Sequence, residues 1–318
     1  EVLFVELEHD GIVGIGEASP SERYGETISS SIQFFEKVNL AQFDSAYVVE
    51  DINKYLQGIG PGNYAAKAAI DIALNDWVGK RLNIPLWKLW GFHKDNLPKT
   101  SFTIGAGTIE EIIAKVREAK DYPILKVKAG VPNDEEIISA IRTETDKQIY
   151  VDANEGWGPK ERALEKIHFL QENRIELIEQ PLPAKDIVGM IWLKSRIRIP
   201  VIADESCSSI QELTTLKGVF DGINLKLMKC GGLKNAIQMI YTAKRILGMK
   251  VMLGCMIESS VGISAMAQLS PLVDYCDLDG NILISNDPFL GVTNLEGKLL
   301  LSDMPGLGIV PSDRIPKR

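Results

Sequence analysis

Apolar residues recur at three- and four-residue steps in "NYAAKAAIDIALNDWVGKRL", where Ala66, Ala69, Ile70, Ala73, Leu74 and Trp77 fall on one stripe. That period predicts an amphipathic helix with one buried face. Ahead of it, "EVLFVELEHDGIVGIGEA" reads as two apolar strands around the turn "HDG", and the polar loop "SPSERYGET" then leads into further helical stretches. The chain to about residue 97 is therefore expected to be α+β. Its opening in mid-sheet predicts that an earlier segment is missing. After "HKDNLPKTSFTIG" the rhythm changes, and short apolar strands alternate with amphipathic helical stretches. Eight such strands are predicted: "SFTIG", "ILKVKAG", "QIYVDAN", "IELIEQP", "IPVIADES", "DGINLKLMK", "KVMLGCMIES" and "VDYCDLDG". Counted from Lys128, the marked strand ends fall at Asp152, Glu179, Asp204 and Lys226, at steps of 24, 27, 25 and 22 residues. A β-α unit repeated at this period closes into a (β/α)8-type barrel. The tail "NDPFLGVTNLEGKLLLSDMPGLGIVP" carries Gly- and Pro-rich turns and is expected to pack back on the N-terminal part.

One strand breaks the apolar rule. In "ILKVKAG", Lys126 and Lys128 stand two positions apart and share a face. A buried like-charge pair is costly, so its presence asks for a reason. Active sites of such barrels sit at the C-terminal ends of the strands, and this chain places charged residues there repeatedly. Asp152 and Asn154 end the third strand, Glu179 and Gln180 the fourth, and Asp204 and Glu205 the fifth. Lys226 lies on the sixth, Glu258 on the seventh, and Asp277 with Asp279 on the eighth. Three carboxylates on three adjacent strands repel one another unless a hard cation joins them, and an all-oxygen set favours Mg²⁺ or Mn²⁺ over Zn²⁺. The alternative for any single Asp is a helix cap or a loop salt bridge. Lysines flank the triad on both sides, and a carbon acid held between them can lose a proton to one and regain it from the other. The neighbouring ammonium and a cation would lower a lysine's pKa toward a useful base. On this reading Lys126 tunes and orients Lys128.

Composition narrows the partners. With 318 residues, 45% hydrophobic and 25% charged, the chain is ordinary for a globular protein. A net charge of −8 and a pI near 5.2 argue against a nucleic-acid partner. No apolar run approaches the roughly 18 residues a membrane span needs, and no signal peptide is visible. Cys207, Cys230, Cys255 and Cys276 form no CxxC pair and read as reduced thiols, so the expected location is cytoplasmic.

These motifs, in this order, resemble the enolase superfamily, and within it the muconate-lactonizing subgroup. The carriers are the KxK of "LKVKAG", the Asp of "VDANEGW", the Glu of "IEQPL", the Asp of "ADES" and the second lysine in "INLKLMKCGG". The resemblance runs from "DGIVGIGEA" to "MPGLGI". It implies an α/β fold, a (β/α)7β TIM-type barrel over residues 98–286. An α+β capping domain is implied over 1–97, with 287–318 returning to it. It also implies one Mg²⁺ per subunit on Asp152, Glu179 and Asp204, with Mn²⁺ as a substitute. Lys128 and Lys226 would take the acid/base roles and Lys126 the supporting one; Lys229 is left at the strand-helix junction.

The subgroup contains cycloisomerases, o-succinylbenzoate synthases, N-acylamino acid racemases and dipeptide epimerases. The Asp-x-Asp of "CDLDG" resembles the last of these, whose two carboxylates receive the substrate's α-ammonium group. Asp277 and Asp279 would share one strand face, as such a receptor requires. By themselves these residues read as an Asp-x-Asp that caps a loop, and it is the rest of the motif set that turns the reading to a receptor. Glu258, Thr103 and Arg23 complete the candidate substrate-binding set, with Arg23 in "SPSERYGET" either reaching an acidic side chain or lying on the surface. The function implied is a Mg²⁺-dependent isomerase of the L-Ala-D/L-Glu epimerase type. It would invert the C-terminal residue's α-carbon by two-lysine proton transfer through a metal-stabilised enediolate. The rivals are an N-acylamino acid racemase, an o-succinylbenzoate synthase or cycloisomerase, and a non-catalytic barrel that binds a metal-carboxylate ligand. The expected partner is a small dipeptide, with no nucleic acid or membrane, and a homo-oligomer is left open. His9, His93 and His168 lie outside every motif and read as structural or exposed.

Overall fold

A computed structural model describes residues 1–95 and 97–313; the last five residues of the 287–318 stretch lie outside it. Strands β1 (Leu3–His9) and β2 (Ile12–Ala18) form an antiparallel hairpin. Asp10 and Gly11 join them, both with positive φ, which matches the tight-turn reading of "HDG". Three helices follow: α1 (Ile28–Phe35), α2 (Val49–Ile59) and α3 (Tyr64–Arg81). Thr27 and Ser30 cap the start of α1 reciprocally.

Helix α3 departs from the one-stripe expectation. It is buried nearly all round, Lys67, Asp71 and Asp76 included. Ala66, Ile70 and Leu74 meet Phe34, Ile52 and Leu56 of α1 and α2. The small face of Ala65, Ala68, Ala69 and Ile72 joins the main core. Two glycines of β2 explain the second buried face. A Cβ on Gly16 would lie 1.8 Å from the Ala69 carbonyl oxygen, and one on Gly14 2.0 Å from that of Ala73. The hairpin backbone therefore rests directly on the helix, which no side-chain periodicity encodes.

All eight predicted barrel strands are present: β3 (Phe102–Ile104), β4 (Ile124–Lys128), β5 (Gln148–Asp152), β6 (Leu177–Glu179), β7 (Val201–Ala203), β8 (Gly222–Leu225), β9 (Lys250–Leu253) and β10 (Tyr275–Cys276). They run parallel in sequence order as one curled sheet. A bridge between Thr100 and Cys276 brings its first and last edges together, with Ser101 N–H donating to the Cys276 carbonyl at 3.0 Å. Ile124, Tyr150, Leu177, Ile202 and Met252 fill the interior as one cluster, and the opposite strand faces pack on the surrounding helices.

The two parts are fastened by buried polar groups. Asp71 of α3 accepts from the Leu233 N–H at 2.6 Å, and Gly232 is needed there because a Cβ would lie 2.5 Å from the same carboxylate. The C-terminal stretch returns to the first part: Asp76 accepts from Leu307 N–H at 2.8 Å, and Phe289 stacks edge-on against Phe4.

Candidate active site

Parallel pairing sets the chemistry side by side. Lys128, Asp152 and Glu179 are direct neighbours across β4, β5 and β6, and Asp204 follows the end of β7. One carboxylate oxygen from each of Asp152, Glu179 and Asp204 lies within 4.8 Å of the others, and all three residues are buried. Among the described residues this is the one such metal-competent group. Lysines surround it. Lys126 Nζ lies 2.7 Å from Asp277 Oδ2, 2.9 Å from Glu179 Oε2 and 3.2 Å from Asp152 Oδ2. Lys128 Nζ donates to the same Asp152 oxygen at 2.7 Å, and from the far side Lys226 Nζ donates to Asp204 Oδ2 at 2.7 Å. The two lysines of "ILKVKAG" do share a face, and three carboxylates compensate the buried one.

The acids around the buried lysines set their charge. Burial opposes the charge on Lys126, but Asp277, Glu179 and Asp152 outweigh it and hold its pKa well above the ordinary lysine value. Burial likewise opposes Lys226, while Asp204 and Glu179 raise it. The carboxylates answer in kind. Burial acts against Asp204, yet Lys226 and Lys229 hold it well below the usual range. Glu179 is pushed up to about 8 by burial and by Asp152.

The triad suits a hard divalent cation. Its donors are all carboxylate oxygens, and Glu179 Oε2, though 2.9 Å from the Lys126 ammonium, accepts no well-aligned hydrogen bond. Other residues fix the ligands. Asn224 donates to Glu179 Oε1 at 2.8 Å. Gln180 Oε1 accepts from the Asp204 N–H at 3.0 Å. Lys229 is fully buried and donates to Asp204 Oδ1 (2.5 Å) and to the carbonyls of Asp204 (2.7 Å), Asn224 (2.9 Å) and Cys207 (3.0 Å). Spacing gave no role to Lys229; its apolar setting, "LMKC", was the available signal.

A cavity of about 1130 Å³ opens over this face, lined among others by Lys128, Lys226, Asp277 and Asp279. Asp277 and Asp279 lie beyond the end of β10 rather than within it, because the strand closes at Cys276. Both are buried. Asp277 accepts from Ser101 Oγ at 2.6 Å and from Lys126, while Asp279 accepts from the Thr103 N–H at 2.7 Å. Burial and then Asp277 push Asp279 up to about 6. Thr103, Glu258 and Arg23 also line the cavity. Glu258 accepts from Met256 N–H at 2.7 Å. Arg23 is half exposed and its guanidinium pairs with Glu155. Its neighbour Tyr24 is the more deeply placed: burial, with Asp204 next in weight, raises its phenol. None of the three histidines lines the cavity.

Comparison with known proteins agrees with this architecture. Residues 1–91 match the N-terminal domain of the mandelate racemase / muconate lactonizing enzyme family, and residues 109–315 match the enolase C-terminal domain-like family. The chain belongs to this family of the enolase superfamily. It is 49% identical over 289 residues to the L-Ala-D/L-Glu epimerase of Bacteroides thetaiotaomicron, covering 91% of this chain and 75% of the relative. It superposes on a substrate-liganded L-Ala-D/L-Glu epimerase from Bacillus subtilis with a TM-score of 0.92 at 29% identity, over 98% of this chain and 91% of the other. It superposes also on the dipeptide epimerase of Enterococcus faecalis complexed with Mg and L-Leu-L-Tyr. There the TM-score is 0.90 and the identity 33%, over 97% and 91% of the two chains.

Proposed function

We propose that this protein is a Mg²⁺-dependent dipeptide epimerase, an isomerase that inverts the α-carbon of a dipeptide's C-terminal residue. One observation carries the reading: Lys128 and Lys226 line one cavity from opposite sides of the carboxylate triad. A carbon acid seated between them presents one face of its α-carbon to each Nζ. Removal of the proton by one lysine and return of a proton by the other inverts the centre, and the roles exchange for the opposite isomer. Asp152, Glu179 and Asp204 would hold the ion, which when bound supplies positive charge against the substrate carboxylate and acidifies the α-C–H beside it. Lys126 would add a fixed ammonium group next to that ion, oriented by its three carboxylate partners. Asp277 and Asp279 would take the α-ammonium group at the other end of the dipeptide. Dipeptide epimerases with L-Ala-D/L-Glu and Mg-bound dipeptide complexes among the relatives support the substrate class.

The test is solvent exchange. A small library of L,L-dipeptides in D₂O with Mg²⁺ should gain deuterium at the C-terminal α-carbon, seen by mass spectrometry, and a chelator should abolish the gain until Mg²⁺ is restored. Absence of exchange with every free-amine dipeptide at a saturated metal site contradicts the reading.

A further inference from the structure

Glu155 stands three residues past Asp152 of the triad, in the turn that follows β5, and its backbone is unusual. Asn154 and Glu155 both have positive φ, 44° and 66°, a left-handed conformation that glycine adopts freely and that crowds any side chain. A glutamate kept at such a position asks what its carboxylate holds. One end is fixed to the barrel: Oε1 accepts from the Ala184 N–H at 2.6 Å, and the Glu155 N–H donates to the Gln180 carbonyl at 2.8 Å. The other oxygen, Oε2, pairs with the guanidinium of Arg23, 132 residues earlier in the chain. Arg23 belongs to the loop that leaves the N-terminal hairpin, and that loop is pinned a second time. Glu26, which is buried, accepts from the Tyr64 N–H at 2.6 Å and the Ala65 N–H at 3.0 Å at the start of α3. Between the two anchors the chain makes a 3-10 turn (Glu22–Tyr24), closed by Gly25 at a φ of 73°, with the Tyr24 N–H donating to the Ser21 carbonyl at 3.0 Å. Tyr24 lines the same cavity as Asp204, Glu205 and Lys226, close enough for their charges to act on its phenol. Among the described residues its hydroxyl makes no hydrogen bond.

We propose that Glu155 is a positioning residue of the active site: through Arg23 it latches the 21–26 loop against the barrel, and the latched loop presents Tyr24 to the bound substrate, which on the epimerase reading above is the C-terminal residue of a dipeptide. Arg23 reaches the turn after β5 while Tyr24 reaches the residues that follow β7 and β8. The loop thus spans the side of the cavity where Asp204 and Lys226 stand. Without the ion pair it is tied down only at Glu26, and the residues ahead of that anchor regain conformational freedom. A substrate must then order them on binding, which costs affinity and leaves the lysines and the triad as they were. The latch itself stands on contacts that do not involve the substrate.

The test compares wild type, Glu155→Gln, Arg23→Met and the double variant, all loaded with Mg²⁺. Glutamine keeps an acceptor for the Ala184 N–H and removes only the charge, so Glu155→Gln separates the pair from the fold. Chymotrypsin cleavage after Tyr24, with mass spectrometry of the 1–24 fragment, reads the latch without substrate. Each single variant should be cut about two- to fivefold faster than wild type, and the double variant no faster than either single, because both changes remove one interaction. KM for an accepted dipeptide should rise by about the same two- to fivefold factor with kcat unchanged. Cleavage at the wild-type rate in both single variants overturns the latch, as does a double variant in which the two effects multiply. Faster cleavage with KM unmoved, or with kcat falling instead, overturns the positioning role. If cleavage follows the expectation while wild type turns over no dipeptide, the latch stands and the epimerase reading fails.

Discussion

Replacing Asp279 with asparagine removes one negative charge from the cavity wall and keeps a carbonyl oxygen for the Thr103 N–H, now 2.7 Å from Oδ2. Asp277 remains, with its bonds to Ser101 and Lys126 intact. If Asp279 receives the dipeptide's ammonium group, the variant loses a charge-assisted hydrogen bond in a buried site, about 1.5–3 kcal/mol. That corresponds to a drop of roughly ten- to a hundredfold in kcat/KM for free-amine dipeptides. The same substrates acetylated on the amine carry no charge there, and for them wild type and variant should be equally poor. The pH profile gives a second sign. Asp279 titrates near 6 because of burial and Asp277, against the weaker pull of Thr103 and Lys126. Below about pH 6 it is protonated, so the wild-type KM should climb as pH falls through that value, and the variant should lack that limb. Stability offers a control. A carboxyl raised above its ordinary value weakens the fold as pH rises, so at neutral pH the asparagine variant should be no less stable than wild type. An equal loss on free-amine and acylated substrates would refute the receptor argument.

Two further substitutions test the support beneath the site. Gly16→Ala places a Cβ 1.8 Å from the Ala69 carbonyl and should cost about 1–3 kcal/mol or more in thermal or denaturant unfolding, since backbone must move on both sides. Lys229→Met strips four oxygen acceptors of a buried ammonium and should cost about 3–5 kcal/mol. It should also weaken Mg²⁺ binding roughly tenfold or more by calorimetry, because Asp204 loses the group that holds Oδ1.

The strands of the barrel were legible in the sequence because each is a short apolar run, and those from Lys128 to Lys226 close on a charged residue at a regular step. Asp152, Glu179 and Asp204 could be singled out because they close three adjacent apolar strands, whereas any one of them alone could be a helix cap or a loop salt bridge. What escaped notice depends on contacts between distant segments. The second buried face of α3 comes from Gly14 and Gly16, residues whose contribution is a missing side chain. The pKa direction of Lys126 and Lys226 depends on which acids the barrel brings within 3.2 Å, and Asp277 lies 151 residues from Lys126.

The central claim is that two lysines work from opposite sides of one carbon. Its most direct test is α-proton exchange in D₂O by Lys128→Met and Lys226→Met, each offered both epimers of an accepted dipeptide in separate reactions. Each variant should lose epimerisation yet still exchange the α-proton of one epimer, the one facing its remaining lysine, and the two variants should retain opposite epimers. Retention of the same epimer by both variants, or epimerisation by either, would contradict the account.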